Sequence, residues 1–274
     1  MKIRLHSLIP ALTAFFAISA DLLAQQEPMN EIPTAPVAVD HGHTGAAVDP
    51  SHPIALQIIS PRNNEIIDSP PVDIFFDLKN YELSENGNAL RVIINNQPPL
   101  TLYSTTRPLT LNSIHDGGQT IRAFVVRPDG TMIREAGIAI THFFVRKKDF
   151  QNFVDQNKPY LTVNLPSGDS YDTDINGQLC VDVLLNNPVQ AANYKIHYSM
   201  EGYEGFLNGK EVAYWPNVAI GKHKLLVELL DTNGRPVLGP FNRVERYFEI
   251  RQLLKAAPMP GDTTPAPATS SQPD

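Results

Sequence analysis

The chain of 274 residues holds one cysteine and one tryptophan. A lone thiol, Cys180, closes no internal disulfide, so burial must hold the fold together even in an oxidising compartment. Cys180 reads as a small buried hydrophobe, with pairing between chains as the other reading. Past the N-terminus no stretch approaches the roughly 20 apolar residues that a membrane-spanning helix needs. Basic residues are also scarce: 22 Lys and Arg stand against 29 Asp and Glu, a formal net charge of −7. An acidic chain repels phosphate backbones, which argues against a nucleic-acid partner. Catalytic signatures are missing as well. There is no G-x-S-x-G, no H-E-x-x-H and no glycine-rich phosphate loop, and no cleft can be inferred around the acidic pair Asp172 and Asp174. These absences together predict a protein that is not an enzyme.

What is present begins with an address. Lys2 and Arg4 precede an apolar run from Leu8 to Ala20, and the small residue Ala24 precedes the polar "QQEPMNE". This is the layout of a secretory signal peptide over residues 1–24, with cleavage after Ala24, or after Ala20 as the second choice. No cysteine stands near that site to carry a lipid anchor. The expected location is therefore outside the cytoplasm, periplasmic or extracellular, with no membrane span once the signal is removed. Residues 25–53 are punctuated by Pro28, Pro33, Pro36, Pro50 and Pro53, and residues 253–274 contain "PMPGDTTPAPATSSQPD". Both segments are too poor in large apolar residues to offset ordering entropy, and both are predicted to be disordered.

The remainder repeats itself. "GGQTIRAFVVRPDGT" from Gly117 and "GKHKLLVELLDTNGR" from Gly221 align at an offset of 104, with Ile121, Ala123 and Val125 on Leu225, Val227 and Leu229. The same offset places Val92 and Ile94 on Ile196 and Tyr198, Leu111 on Trp215, and Phe144 on Phe248. Apolar residues alternate, as in half-buried strands, and Asp129-Gly130 and Asn233-Gly234 supply turn chemistry. The expected fold class is all-β, as two tandem immunoglobulin-like sandwiches at 54–148 and 158–252. One short helical turn is expected in the linker, where Phe150, Phe153 and Val154 have helix spacing.

These residues carry a resemblance. Gly221-Lys222-His223-Lys224-Leu225 followed by "VELLDTNG" resembles the penultimate hairpin of bacterial immunoglobulin-like and fibronectin-III-like extracellular domains, and "HDGGQTIRAFVVRPDG" is a looser copy. That resemblance implies architecture and an adhesive, carbohydrate-binding, chaperoning or spacer role. A second stretch, "HPIALQIISPRNNEIIDSPPVDIFFDL", is similar to the first strands of the CopC-like periplasmic copper-binding proteins. This likeness implies His52 as a copper ligand, with His142 as the nearest stand-in for a second.

Candidate sites follow from residue chemistry. His41, His43 and His52, with Asp40 and Asp49, could hold copper, zinc or nickel, or could be a solvated linker. "YDTDINGQLC" opens as a calcium loop through Asp172, Asp174 and Asn176, but its twelfth position is Val183 where an EF-hand needs glutamate. A looser calcium site on this loop, which also carries Asp169, competes with the reading that Asp and Asn are there to turn the chain. Among the aromatics, Tyr198 and Trp215 align with apolar core positions. Tyr203 and Tyr214 align with Pro99 and Thr110, and are the expected surface rings for a protein or glycan ligand. The favoured function is an exported, non-enzymatic binding or spacer protein of the cell envelope or extracellular space. The alternatives are a periplasmic metal-binding protein and a glycan-binding accessory module. If the acidic loop holds calcium, millimolar Ca²⁺ raises the melting temperature, and Asp172→Ala with Asp174→Ala removes the rise. Identical wild-type melts in calcium and in chelator assign the loop to turn formation.

Overall fold

The computed structural model describes residues 37–38, 51–168, 170–172, 178–187, 193–207, 209–210, 212–216 and 218–251. All lie in one compact unit, Pro33–Asp274. The first sandwich pairs a three-stranded sheet with a five-stranded one. The smaller is built in the order β2 (Ala55–Ser60), β4 (Val72–Lys79) and β7 (Leu109–Leu111). The larger runs β3 (Glu65–Ile67), β9 (Ala139–Val145), β8 (Gly117–Val126), β5 (Ala89–Ile94) and β6 (Leu100–Leu102). The second sandwich repeats this plan. Its smaller sheet holds β10 (Tyr160–Leu165), β12 (Gln178–Asn186) and β15 (Ala213–Pro216). Its larger sheet runs β11 (Ser170–Asp172), β17 (Arg243–Arg251), β16 (Gly221–Asp231), β13 (Tyr194–Met200) and β14 (Tyr203–Leu207). The all-β, two-sandwich expectation holds.

The repeat is kept to the level of register. β2 and β4 pair Leu56 with Leu78 and then shift register before Ser60 meets Phe75; β10 and β12 pair Leu161 with Leu185 and shift at the same place, before Leu165 meets Asp182. Val72 lies across from Leu111 as Leu179 does from Trp215. Ile121, Ala123 and Val125 are buried in one core, and Leu225, Val227 and Leu229 in the other. Trp215 fills the second core at a position where half-buried Leu111 suffices in the first. Its ring packs edge-on against Tyr198, 5.3 Å between centroids.

Three local expectations are corrected. Segment 25–53 is not wholly without structure, because Val37–Ala38 form β1, which pairs with Tyr214 and Ala213 on the edge of β15. Residues 25–36, 39–50 and 252–274 lie outside the described residues. The interdomain linker turns once, with Phe153 N–H bonding the Phe150 carbonyl at 3.1 Å, but builds no helix, and the helical element that is described, a 3₁₀ turn, sits at Arg134–Ala136. Rings explain the linker: Phe150 and Phe153 pack on Phe144 of β9, at 5.5 and 4.8 Å. Asp149 accepts the Gly118 N–H at 2.9 Å, and Asn152 donates to the Gly118 carbonyl at 2.9 Å. Only glycine admits this clasp, since a Cβ on Gly118 would stand 2.3 Å from the Asp149 carbonyl oxygen.

The third correction is the largest. Alternation predicts strands with one free face, yet β8 is buried along its whole length, as is β10. The sandwiches are stacked. The outer face of β5 and β8 is covered by β10 and β12, and Leu184 packs on the cluster of Ala89, Ile93, Phe124, Val126 and Met132. Buried polar groups cross this contact. The Asp182 carboxylate, fully buried, accepts from Met132 N–H at 2.8 Å, Arg134 Nη2 at 2.6 Å and Asn164 Nδ2 at 2.7 Å. Arg122 reaches the other way. It donates to the Leu161 carbonyl at 2.7 Å and the Thr162 hydroxyl at 3.1 Å, and lies 4.0 Å from the Phe241 ring centroid. Desolvation lowers the Arg122 guanidinium to about 9, which leaves it charged at neutral pH. Arg246, lowered to about 10 by burial, donates to the Asn96 carbonyl at 3.1 Å.

A buried carboxylate with three donors is costly to delete, because its partners keep their polarity and lose their acceptor. Asp182→Ala is expected to lower unfolding free energy by about 3–5 kcal/mol, read from urea titration. A loss within error of zero would mean that the sandwiches do not depend on this contact.

Candidate functional site

The sequence candidates do not converge. His41, His43, Asp174 and Asn176 lie outside the described residues. His52 is exposed just before β2, with Nδ1 3.0 Å from the Ser51 hydroxyl. Asp172 is not in a free loop: its backbone ends β11, across from Arg251 in a parallel pairing with β17. Among the described residues no group of three His, Cys, Asp or Glu side chains is placed to hold a metal ion. His142 is no surface ligand. Its Nδ1 lies 2.7 Å from the Thr120 hydroxyl, its ring stacks on Phe153 at 4.6 Å, and burial lowers its pKa.

The two tyrosines expected at the surface are corrected as well. Tyr214 is buried beside Leu165, Cys180 and Val212, on a face that alternation leaves open. Tyr203 is half-buried and packs edge-on to Trp215 at 6.2 Å. The alternation of β14 puts Tyr203 and Gly205 inward and Phe206 outward. A Cβ at Gly205 would meet the Tyr198 hydroxyl at 2.6 Å, so this glycine makes room for a core ring.

One face that stands open belongs to the larger sheet of the second sandwich. It is the equivalent of the surface that the first sandwich uses to seat the second. An open groove of about 550 Å³ crosses it, lined by Ser199, Lys222, Lys224, Leu226, Glu245 and Tyr247 among others. Lys224 Nζ lies 3.1 Å from Glu245 and 5.4 Å from the Tyr247 ring centroid. The Glu245 hydrogen bond raises the Lys224 pKa, and the Lys224 hydrogen bond lowers that of Glu245. Arg243 bridges Glu245 at 3.2 Å and Glu228 at 3.1 Å, and Glu228 meets His197 Nδ1 at 3.1 Å. Beyond this charged belt, Phe206 is 60 % exposed, with Lys195 Nζ 5.3 Å from its centroid. At the floor of the groove His223 stacks on Phe248 and hydrogen-bonds Glu201, tying the β13–β14 turn to β16. Mixed charge with exposed rings suits a wet, polar contact surface; no nucleophile and base are aligned in it.

Sequence reasoning missed Tyr247 and left Phe206 unsorted. The signal for both was strand parity. Tyr247 alternates with Phe248 on β17 and Phe206 with Leu207 on β14, so whichever member lines the core turns the other outward.

No protein-family model matches the chain, and no curated protein does. Among solved structures it is similar to the fibronectin(III)-like modules of Clostridium thermocellum CbhA, at 15 % identity, covering 72 % of this chain and 94 % of that one, with a TM-score of 0.27. It is also similar to the extracellular domain of a B. thetaiotaomicron protein assigned as a one component system, BT4673, at 10 % identity over 68 % of this chain and 35 % of that one, TM-score 0.27. The central fibronectin-III array of RIM-binding protein matches at 11 % identity over 78 % and 73 %, TM-score 0.24. These likenesses concern sandwich architecture alone.

Buried His142 gives a pH signature. Its folded pKa lies below the ordinary 6.5, so the unfolded chain takes up the proton first as pH falls. Stability contributed by the neutral ring is present above about pH 6.5 and is lost below it. Wild type should therefore lose more stability than His142→Gln between about pH 7.5 and 5, measured by denaturant titration at each pH. Parallel losses in the two proteins would assign the acid sensitivity to other groups.

Proposed function

We propose that this chain is an exported, non-enzymatic binding protein that holds two stacked sandwiches in a fixed relation and offers the open sheet face of the second to a protein partner. One observation carries the reading. The first sandwich buries its β5–β8 face under a neighbour, whereas the second leaves the equivalent face uncovered, grooved and edged with aromatic rings. Export rests on the N-terminal basic and apolar pattern, and the periplasm or the cell exterior is the proposed location. Among the described residues no helix is long and apolar enough to cross a membrane.

The test is a pull-down from native envelope extract with the mature chain and with a Lys224→Glu, Tyr247→Ala variant. Both side chains are surface groups on β strands, so the variant should melt as wild type does. The expected outcome is a partner retained by wild type and released at least tenfold by the variant. Equal capture by both proteins would move binding away from this face. Selective retention on a glycan array, lost in the variant, would replace the protein partner with a carbohydrate one.

A further inference from the structure

The contact between the sandwiches has two sides. One is the large-sheet face of the first sandwich with the turn after β8; the other is the small-sheet face of the second, β10 and β12. Each sandwich carries both kinds of surface, so the stacked pair leaves one of each unused. The free ends are the β2–β4 face of the first sandwich and the β16 face of the second, with the turn after β16.

Register identifies the equivalent residues. Ser60 meets Phe75 where Leu165 meets Asp182, after the same irregularity, so Phe75 occupies the Asp182 position and Ile59 that of Asn164. The two turns match as well. Val126 bridges Met132 as Leu230 bridges Pro236, and Ile133 N–H bonds Val125 O as Val237 N–H bonds Leu229 O. Leu238 therefore stands where Arg134 stands, and Leu226 where Arg122 stands.

At the internal contact the central pair is ionic, Arg134 with Asp182 at 2.6 Å. At the free ends the same two positions hold Leu238 and Phe75. Leu238 is 94 % exposed, Phe75 46 % and Ile59 50 %. Three large apolar side chains thus sit in water at positions whose equivalents form a buried contact. The difference is matched on both sides: leucine stands in place of the cation, and phenylalanine in place of its anion. Leu226 likewise stands where the buried cation Arg122 does. Charge nearby does not oppose the contact, since Asp77 is already paired with Lys79 at 3.2 Å and Glu228 with Arg243 at 3.1 Å.

We propose that a second copy of this chain is the occupant: the β2–β4 face of one copy, through Ile59 and Phe75, docks on the β16 face and Leu238 turn of another. The proposal rests on the open face being a binding surface and names its partner. Because the two surfaces differ, the contact is heterologous and propagates head to tail, giving chains, or rings if the rotation closes. Within one chain the linker supplies a high effective concentration for stacking; between copies the apolar pair must supply the affinity itself.

The test is sedimentation velocity of the mature full chain from about 1 to about 500 µM, a range that spans micromolar dissociation constants. Wild type should grow in mass beyond a dimer as concentration rises. Phe75→Asp alone and Leu238→Glu alone should each remain monomeric, with melting temperatures like wild type because both positions are exposed. Their equimolar mixture should form a dimer and stop there, because each variant retains the one surface that the other lacks. A wild-type chain that stays monomeric throughout overturns the proposal. So does association that survives either substitution, or a mixture that fails to dimerise while wild type assembles. If wild type is monomeric yet the Lys224, Tyr247 variant still loses an envelope partner, the binding face stands and only self-assembly falls.

Discussion

A carboxylate taken out of water must be met by donors, and Asp182 is met by a backbone N–H and a guanidinium from the first sandwich and an amide from its own. Everything else about the relation between the sandwiches is consistent with that demand. The turn after β8 must present Met132 N–H inward, and the 3₁₀ turn beginning at Arg134 must aim a cation at the same oxygens. Arg122 and Arg246 impose the reciprocal demand, each donating to a backbone carbonyl across the contact, Leu161 for the one and Asn96 for the other. Such groups add less net stability than apolar residues would, but they tolerate few alternative alignments. A greasy contact could slide; this one has fixed geometry.

The two sandwiches share register, irregularity and turn chemistry, and differ in what their outer faces carry. Core positions changed little in kind: Ile121 for Leu225, Ala123 for Val227. Outer positions changed in kind altogether, with Arg122 against Leu226, Phe124 against Glu228 and Asp182 against Phe75. The fold is set by one parity of residues and the associations by the other. That division lets one architecture present a buried, stacked face in one sandwich and an open, charged and grooved face in the next.

Much of the architecture was legible because core burial writes a period of two into each strand, and the repeat doubled the signal. Ile121 and Leu225 could be paired before any coordinates. Stacking was not legible, because Arg122 and Asp182 read as ordinary outward-facing charges; only a partner surface makes them buried. Tyr214 failed because its exposure is decided by Leu165 and Cys180, which are distant in sequence. The linker misled differently. Phe150, Phe153 and Val154 have helical spacing and the chain does turn once between the rings, but the rings answer to Phe144 across space and not to a helix axis. As for the candidate site, Tyr203 lies on the inner face of a hairpin whose outer face carries Phe206.

The clasp at Gly118 gives the molecule a grammar. At the equivalent position the second sandwich carries Lys222, whose side chain would collide with a linker lying where Asp149 lies. The two sandwiches are therefore not interchangeable words. The first is a form that must be followed, and the second is a form that cannot be followed in the same way. A chain with their order reversed would leave Gly118 with nothing to clasp and drive a lysine into the next linker. The two units are alike in register, and a single glycine distinguishes the one that precedes the linker.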